Sequence, residues 1–190
     1  MNFLNEDPMD DISPEMHFAI LARMVMKSQG QKIGRTQLMK LCYFLQEIEH
    51  VPTKYDFRLF NYGPFDSEVL SDLGTACSQN ALKEQTVSLN RGYGYAITPG
   101  ESAEDISGTL TPDLSVKVDR VVQAFSGEGA GELELKSTIL FVDREFTRDG
   151  TGAGPETIAT RVQSIKPHFT LDTIRDRIST MRSRGFLQSF

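Results

Sequence analysis

Apolar residues recur along this chain with the spacing of buried helix faces. Phe18, Leu21, Ala22 and Val25 follow an i, i+3, i+4, i+7 stripe, which predicts a helix over 14–29. Ser13 stands at its cap, Pro14 suits the first helical position, and Gly30 ends it. Leu38, Leu41, Cys42 and Leu45 repeat the spacing over 35–49, and Tyr43 and Phe44 widen that apolar face. The alternation through Phe57, Arg58, Leu59 and Phe60 then predicts a short strand, broken over 61–64 by Gly63 and Pro64. A third helix starts at the Asp66 cap and carries Val69, Leu70 and Leu73. Residues 82–89 and 93–98 predict two strands around the turn Asn90-Arg91-Gly92.

Further along, 101–110 is polar and contains Gly and Ser, which reads as a linker. Thr111 and Pro112 open a fourth helix with Leu114, Val118, Val121, Val122 and Phe125 inward. A fifth covers 132–147 (Leu135, Ile139, Val142, Phe146) and a sixth 155–165 (Ile158, Val162, Ile165). The seventh is capped by Thr170 and carries Leu171, Ile174, Ile178 and Met181 as far as Gly185; 186–190 reads as the start of a strand. The fold class expected is mainly α with a small β-hairpin, α+β. The domains expected are a flexible acidic tail at 1–13, an N-terminal domain at 14–100, the linker at 101–110 and a C-terminal helical domain at 111–190.

Three helices followed by a two-stranded ribbon is the order of a winged helix. The stretch GYGYAITPGE (92–101) resembles the last wing strand of winged-helix regulators. TLDTIRDRISTMRSRGFL (170–187) resembles a recognition helix with a Gly exit, so two winged-helix-like segments are expected. In that arrangement Lys166, Thr173, Arg175, Arg177, Arg182 and Arg184 are the candidates for nucleic-acid contact. Basic residues in a last turn also complement the helix dipole, so a solvated structural role stands beside that one.

The 190 residues carry a net charge of -6, the wrong sign for a generic nucleic-acid coat. The balance is uneven: 161–190 holds six Lys/Arg against two Asp/Glu, and the remainder fourteen against twenty-four. Only Cys42 and Cys77 are available for sulfur chemistry, too few for a disulfide framework. With no apolar segment at the start, a cytoplasmic protein without membrane contact is expected.

The segment 34–64, GRTQLMKLCYFLQEIEHVPTKYDFRLFNYGP, resembles the Panacea-type domain of mobile-element and antitoxin proteins. It is closer still to the YwgA-like family. The matching features are the KLCYFLQ helix, the short strand and the aromatic-Gly-Pro step. LELKSTILFV (133–142) and KPHFTLDTIRDRI (166–178) also resemble the YwgA-like group. The resemblance implies neutralisation of a toxin by direct protein contact, with DNA binding in some relatives.

No catalytic, metal or cofactor site is legible. His17, His50 and His168 share no ligand spacing, and neither cysteine forms a metal pair. The Gly-rich runs at 128–131 and 150–154 lack the Lys-Ser/Thr of a phosphate loop. The carboxylates Glu132 and Glu134 are expected on solvated surface. Tyr62, Gly63, Pro64 and Phe65 are the candidates for partner binding, since exposed aromatics supply much of the contact energy at interfaces. Their bland role is to turn the chain into the next helix. The function expected is therefore a non-enzymatic regulator or adaptor, an antitoxin or transcription regulator, contacting DNA or a protein and pairing as a homodimer. The alternatives are a purely protein-binding module and an enzyme with an unrecognised site.

Overall fold

The computed structural model describes residues 12–28, 33–89 and 92–189. The tail expected at 1–11, the helix end expected at Gln29-Gly30, residues 31–32, Asn90-Arg91 of the expected turn and Phe190 lie outside the described residues. The fold is mostly helical with two small antiparallel hairpins. It forms two compact units, one drawn from 1–56 and 66–127 and the other from 57–65 and 128–190.

The first unit holds α1 (Pro14–Lys27), α2 (Arg35–Ile48) and α3 (Ser67–Ser78), then the ribbon β3 (Leu82–Leu89) and β4 (Gly92–Pro99), then α4 (Ala103–Ser107) and α5 (Pro112–Phe125). The caps act as the residue types dictate. Ser13 accepts from the Met16 amide, Asp66 from the Glu68 amide and Thr111 from the Leu114 amide. Leu21, Met24, Leu38, Leu41, Phe44 and Val118 are fully buried. The Phe44 and Phe125 rings stack at 4.1 Å in this core.

The expected linker at 101–110 is corrected. It is α4 and its flanks, with Ala103, Ser107 and Leu110 buried. Small residues here permit close packing: a Cβ on Gly100 would lie 2.0 Å from the Asn80 carbonyl oxygen. Helix α5, expected in the second domain, packs on α1 and α2 instead. The amphipathic stripe of α5 was legible, but not the surface it would cover.

The second unit holds β1 (Arg58–Phe60), β2 (Gly63–Phe65), α6 (Ala130–Arg148), α7 (Pro155–Ile165) and α8 (Leu171–Ser183). The break expected at Asn61–Pro64 is instead a turn and a second strand, registered Arg58 to Phe65, Leu59 to Pro64 and Phe60 to Gly63. Helix α6 is buried nearly all round, including Glu134, which sequence placed on solvated surface. The strand expected from Phe186 is not formed. The fully buried Asp143 carboxylate accepts from the Gln188 and Ser189 amides at 2.9 and 3.0 Å, taking the groups a neighbouring strand would need.

Candidate functional site

Asn61 and Tyr62 form the turn between β1 and β2. At this apex Phe60 is 58% and Tyr62 69% exposed, while Gly63 and Pro64 are buried. Phe65 is half-buried and meets Phe60 edge-on, ring centroids 5.4 Å apart. The partner-binding candidates thus divide: Tyr62 and Phe65, with Phe60, make the aromatic surface, and Gly63 and Pro64 seat it.

Both neighbours of Tyr62 are anchored. The Lys166 ammonium donates to the Asn61 carbonyl and, at 2.7 Å, to Glu134 Oε1. On the other side Gly63 sits at φ +86°, where an added Cβ would meet Ser137 Oγ at 3.0 Å and Thr138 Oγ1 at 3.3 Å. Those two hydroxyls donate to the Glu134 main-chain oxygen. His168 Nε2 lies 3.9 Å from Glu134 Oε1, with its ring largely exposed. Lys166 is only 2% exposed, so its assignment to nucleic acid is corrected. It caps the C-terminal end of α7, and its stem carries the ammonium inward to a carboxylate and a carbonyl.

Arg175 and Arg177 of α8 are paired with carboxylates. Arg175 donates from Nε and Nη2 to Glu156, each at 2.9 Å, and from Nη1 to Asp172 at 3.1 Å. Arg177 grips Glu132 at 2.6 and 3.1 Å and also meets Asp176. The hydrogen bond from Arg177 holds the Glu132 carboxyl below its ordinary range, and Arg175 does the same for Glu156. Both guanidiniums are pushed up in return by the hydrogen bonds to those carboxylates. Thr173 donates its amide to the Thr170 cap and faces that hydroxyl at 2.9 Å. Arg182 and Arg184 are exposed, and the Arg184 guanidinium lies 4.8 Å from the Phe186 ring centroid. Asp172 and Asp176, on the same helix, are highly exposed, so α8 presents mixed charge.

In the first unit, the third helix and its flanks over 66–82 contain no Lys or Arg but hold Asp66, Glu68 and Asp72. The ribbon displays Tyr93 and Tyr95, 80% and 42% exposed. The Arg35 guanidinium lies 3.6 Å over the Tyr95 ring and is bidentate to Glu84, which pushes its pKa up. Asp72 Oδ2 accepts from the Tyr55 hydroxyl at 2.6 Å and pairs with His17 Nδ1 at 2.8 Å. His17 Nε2 has no hydrogen-bond partner among the described residues. Burial pushes the Cys42 thiol up, which disfavours the thiolate needed by a nucleophile.

Sequence spacing could not reveal these clusters. Lys166 and Glu134 are 32 positions apart, and His17 and Asp72 are 55 apart. A partial signal was present in Phe60 and Tyr62 flanking Asn61, a spacing that puts one aromatic before a turn and one within it. Among the described residues no group of three or more His, Cys, Asp or Glu could hold a metal ion, and no helix is long and apolar enough to cross a membrane. No family model and no curated protein matches this chain.

Proposed function

We propose that this chain is a non-enzymatic regulatory or adaptor protein that acts by docking a protein partner on the β1–β2 apex. One observation carries the reading: two large aromatics, Phe60 and Tyr62, are held largely exposed on a short hairpin whose turn is pinned at Asn61 by buried polar groups. Leaving such side chains largely in water forgoes a part of the about 1.5–3 kcal/mol that full burial of a large apolar side chain yields. A partner that covers them recovers it, and aromatics of this kind serve as interface anchors. On this reading the first unit follows a winged-helix plan of α1, α2, α3 and the β3–β4 ribbon. The Panacea-type and YwgA-like resemblance extends the proposal to an antitoxin whose partner is a toxin.

The transcription-regulator version of this reading is weaker. A winged helix would place α3 against DNA, and α3 and its flanks carry acidic but no basic residues. Arg175 and Arg177 on α8 are already paired with carboxylates. The test is co-purification of the tagged full chain from its native host, beside a Phe60→Ala/Tyr62→Ala variant of equal stability. A protein held by the wild type and released by the variant supports the proposal. Equal recovery by both chains overturns it.

A further inference from the structure

We infer that Lys166 and Glu134 form a buried lock that sets the conformation of the aromatic apex, a role distinct from stabilising the fold. The inference rests on the proposed docking role of the apex and adds to it the residues that position it. The Lys166 side chain is 3% and the Glu134 side chain 11% exposed, and they meet at 2.7 Å. Withdrawing both ions from water carries a desolvation cost that their attraction offsets only in part, so apolar residues in their place are often as stable or more so. What an apolar pair lacks is directionality. The Lys166 ammonium has donors to spare after meeting Glu134, and it places one on the Asn61 carbonyl, the residue just before Tyr62. Glu134 reaches the other side of the turn through its own main chain: its carbonyl collects the Ser137 and Thr138 hydroxyls against which Gly63 is seated. The Glu134 carboxylate therefore acts on the Asn61 side of the exposed tyrosine through Lys166, while the Gly63 side rests on the Glu134 main-chain carbonyl, which any residue at this position would supply. Lys166 and Glu134 touch no partner in this scheme; they are positioning residues.

The test pairs Lys166→Met with Glu134→Leu in the full chain and follows hydrogen exchange over 58–65 together with thermal stability. The expected result is a melting temperature equal to or above the wild type's, with exchange in the hairpin roughly tenfold faster while α6 and α7 keep their protection. Lys166→Arg, which retains donors able to reach Asn61 and Glu134, should restore hairpin protection toward the wild-type value. Unchanged hairpin exchange in the double variant would overturn the lock. So would a loss of protection spread evenly over α6, α7 and the hairpin, since that is a purely structural effect. The exchange readout requires no partner, so a negative result here leaves the docking proposal to its own test with Phe60 and Tyr62.

Discussion

Arg177 on α8 and Glu132 at the start of α6 meet fork to fork: Nε and Nη2 of the guanidinium address the two carboxylate oxygens at 2.6 and 3.1 Å. A bidentate pair of this kind satisfies the donors that a phosphate would otherwise take. To contact DNA, Arg177 would have to leave Glu132 and Arg175 would have to leave Glu156, uncovering carboxylates beside the phosphate backbone. Salt-titrated binding to mixed-sequence duplex DNA checks this for the wild type and for Arg175→Ala/Arg177→Ala. The expected outcome is weak binding in both, with the same slope against salt. A slope that falls by about 1 for each arginine removed would restore α8 as a DNA-contacting surface.

The same pair sets an acid limit on the second unit. The Glu132 carboxyl titrates below its ordinary 4.5 when folded, because Arg177 donates to its charged form. Its contribution is therefore complete above the unfolded value and disappears as pH falls through the lower folded value. Glu132 is 39% exposed in its side chain, so solvent screening keeps the contribution small, on the order of 1 kcal/mol or less. Thermal melts of wild type and Glu132→Gln should differ most near neutral pH and converge as the pH falls through the depressed folded value of Glu132. A difference that grows with acidification would show that Glu132 does not carry the effect.

How far the sequence revealed this molecule depended on the range of the interaction. Helix starts rest on groups within three or four positions, so Ser13, Asp66, Thr111 and Thr170 were recognisable as caps, and each accepts an amide in the structure. The β3–β4 strands were legible for the same reason, from aromatic and β-branched alternation next to Gly92. The unit boundary was not. Residues 57–65 leave the first unit to pack in the second, because Gly63 and Pro64 find their covering surface on α6. A polar Gly-containing stretch such as 101–110 looks the same in sequence whether its small residues give slack or close approach. Lys166 illustrates the matching difficulty at the site: a lysine beside Pro167 reads as exposed, and only the fold brings Glu134 and Asn61 to its ammonium.

Gly63 gives a separate handle on the hairpin. Its φ of +86° disfavours any side chain, and a Cβ there would press on Ser137 Oγ at 3.0 Å. Gly63→Ala should cost about 1–3 kcal/mol, from backbone strain plus the contact. Gly127→Ala is the matched control, since nothing lies within 4 Å of its Cβ position and its φ is not positive. Urea unfolding of both variants measures the difference. Equal midpoints would mean that β2 does not sit against α6 as described.

The apex makes the sharpest expectation about binding. The second unit contains ten Lys/Arg and nine Asp/Glu, so it carries almost no net charge to steer a partner. Beneath the apex the Lys166 ammonium is already paired with Glu134. Contact through Phe60, Tyr62 and Phe65 should then be driven by apolar burial, which salt screens little. For a partner recovered by co-purification, affinity should change less than about threefold between low and moderate salt, where DNA contact would lose orders of magnitude. Tyr62→Ala should weaken binding by about 2 kcal/mol, the scale of an aromatic hot spot, and Tyr62→Phe by much less, since the ring and not the hydroxyl makes the contact. Titration calorimetry at two salt concentrations measures both. Steep salt dependence combined with an unaffected Tyr62→Ala variant would move recognition away from this hairpin, to the charged face of α8 or to the exposed tyrosines of the β3–β4 ribbon.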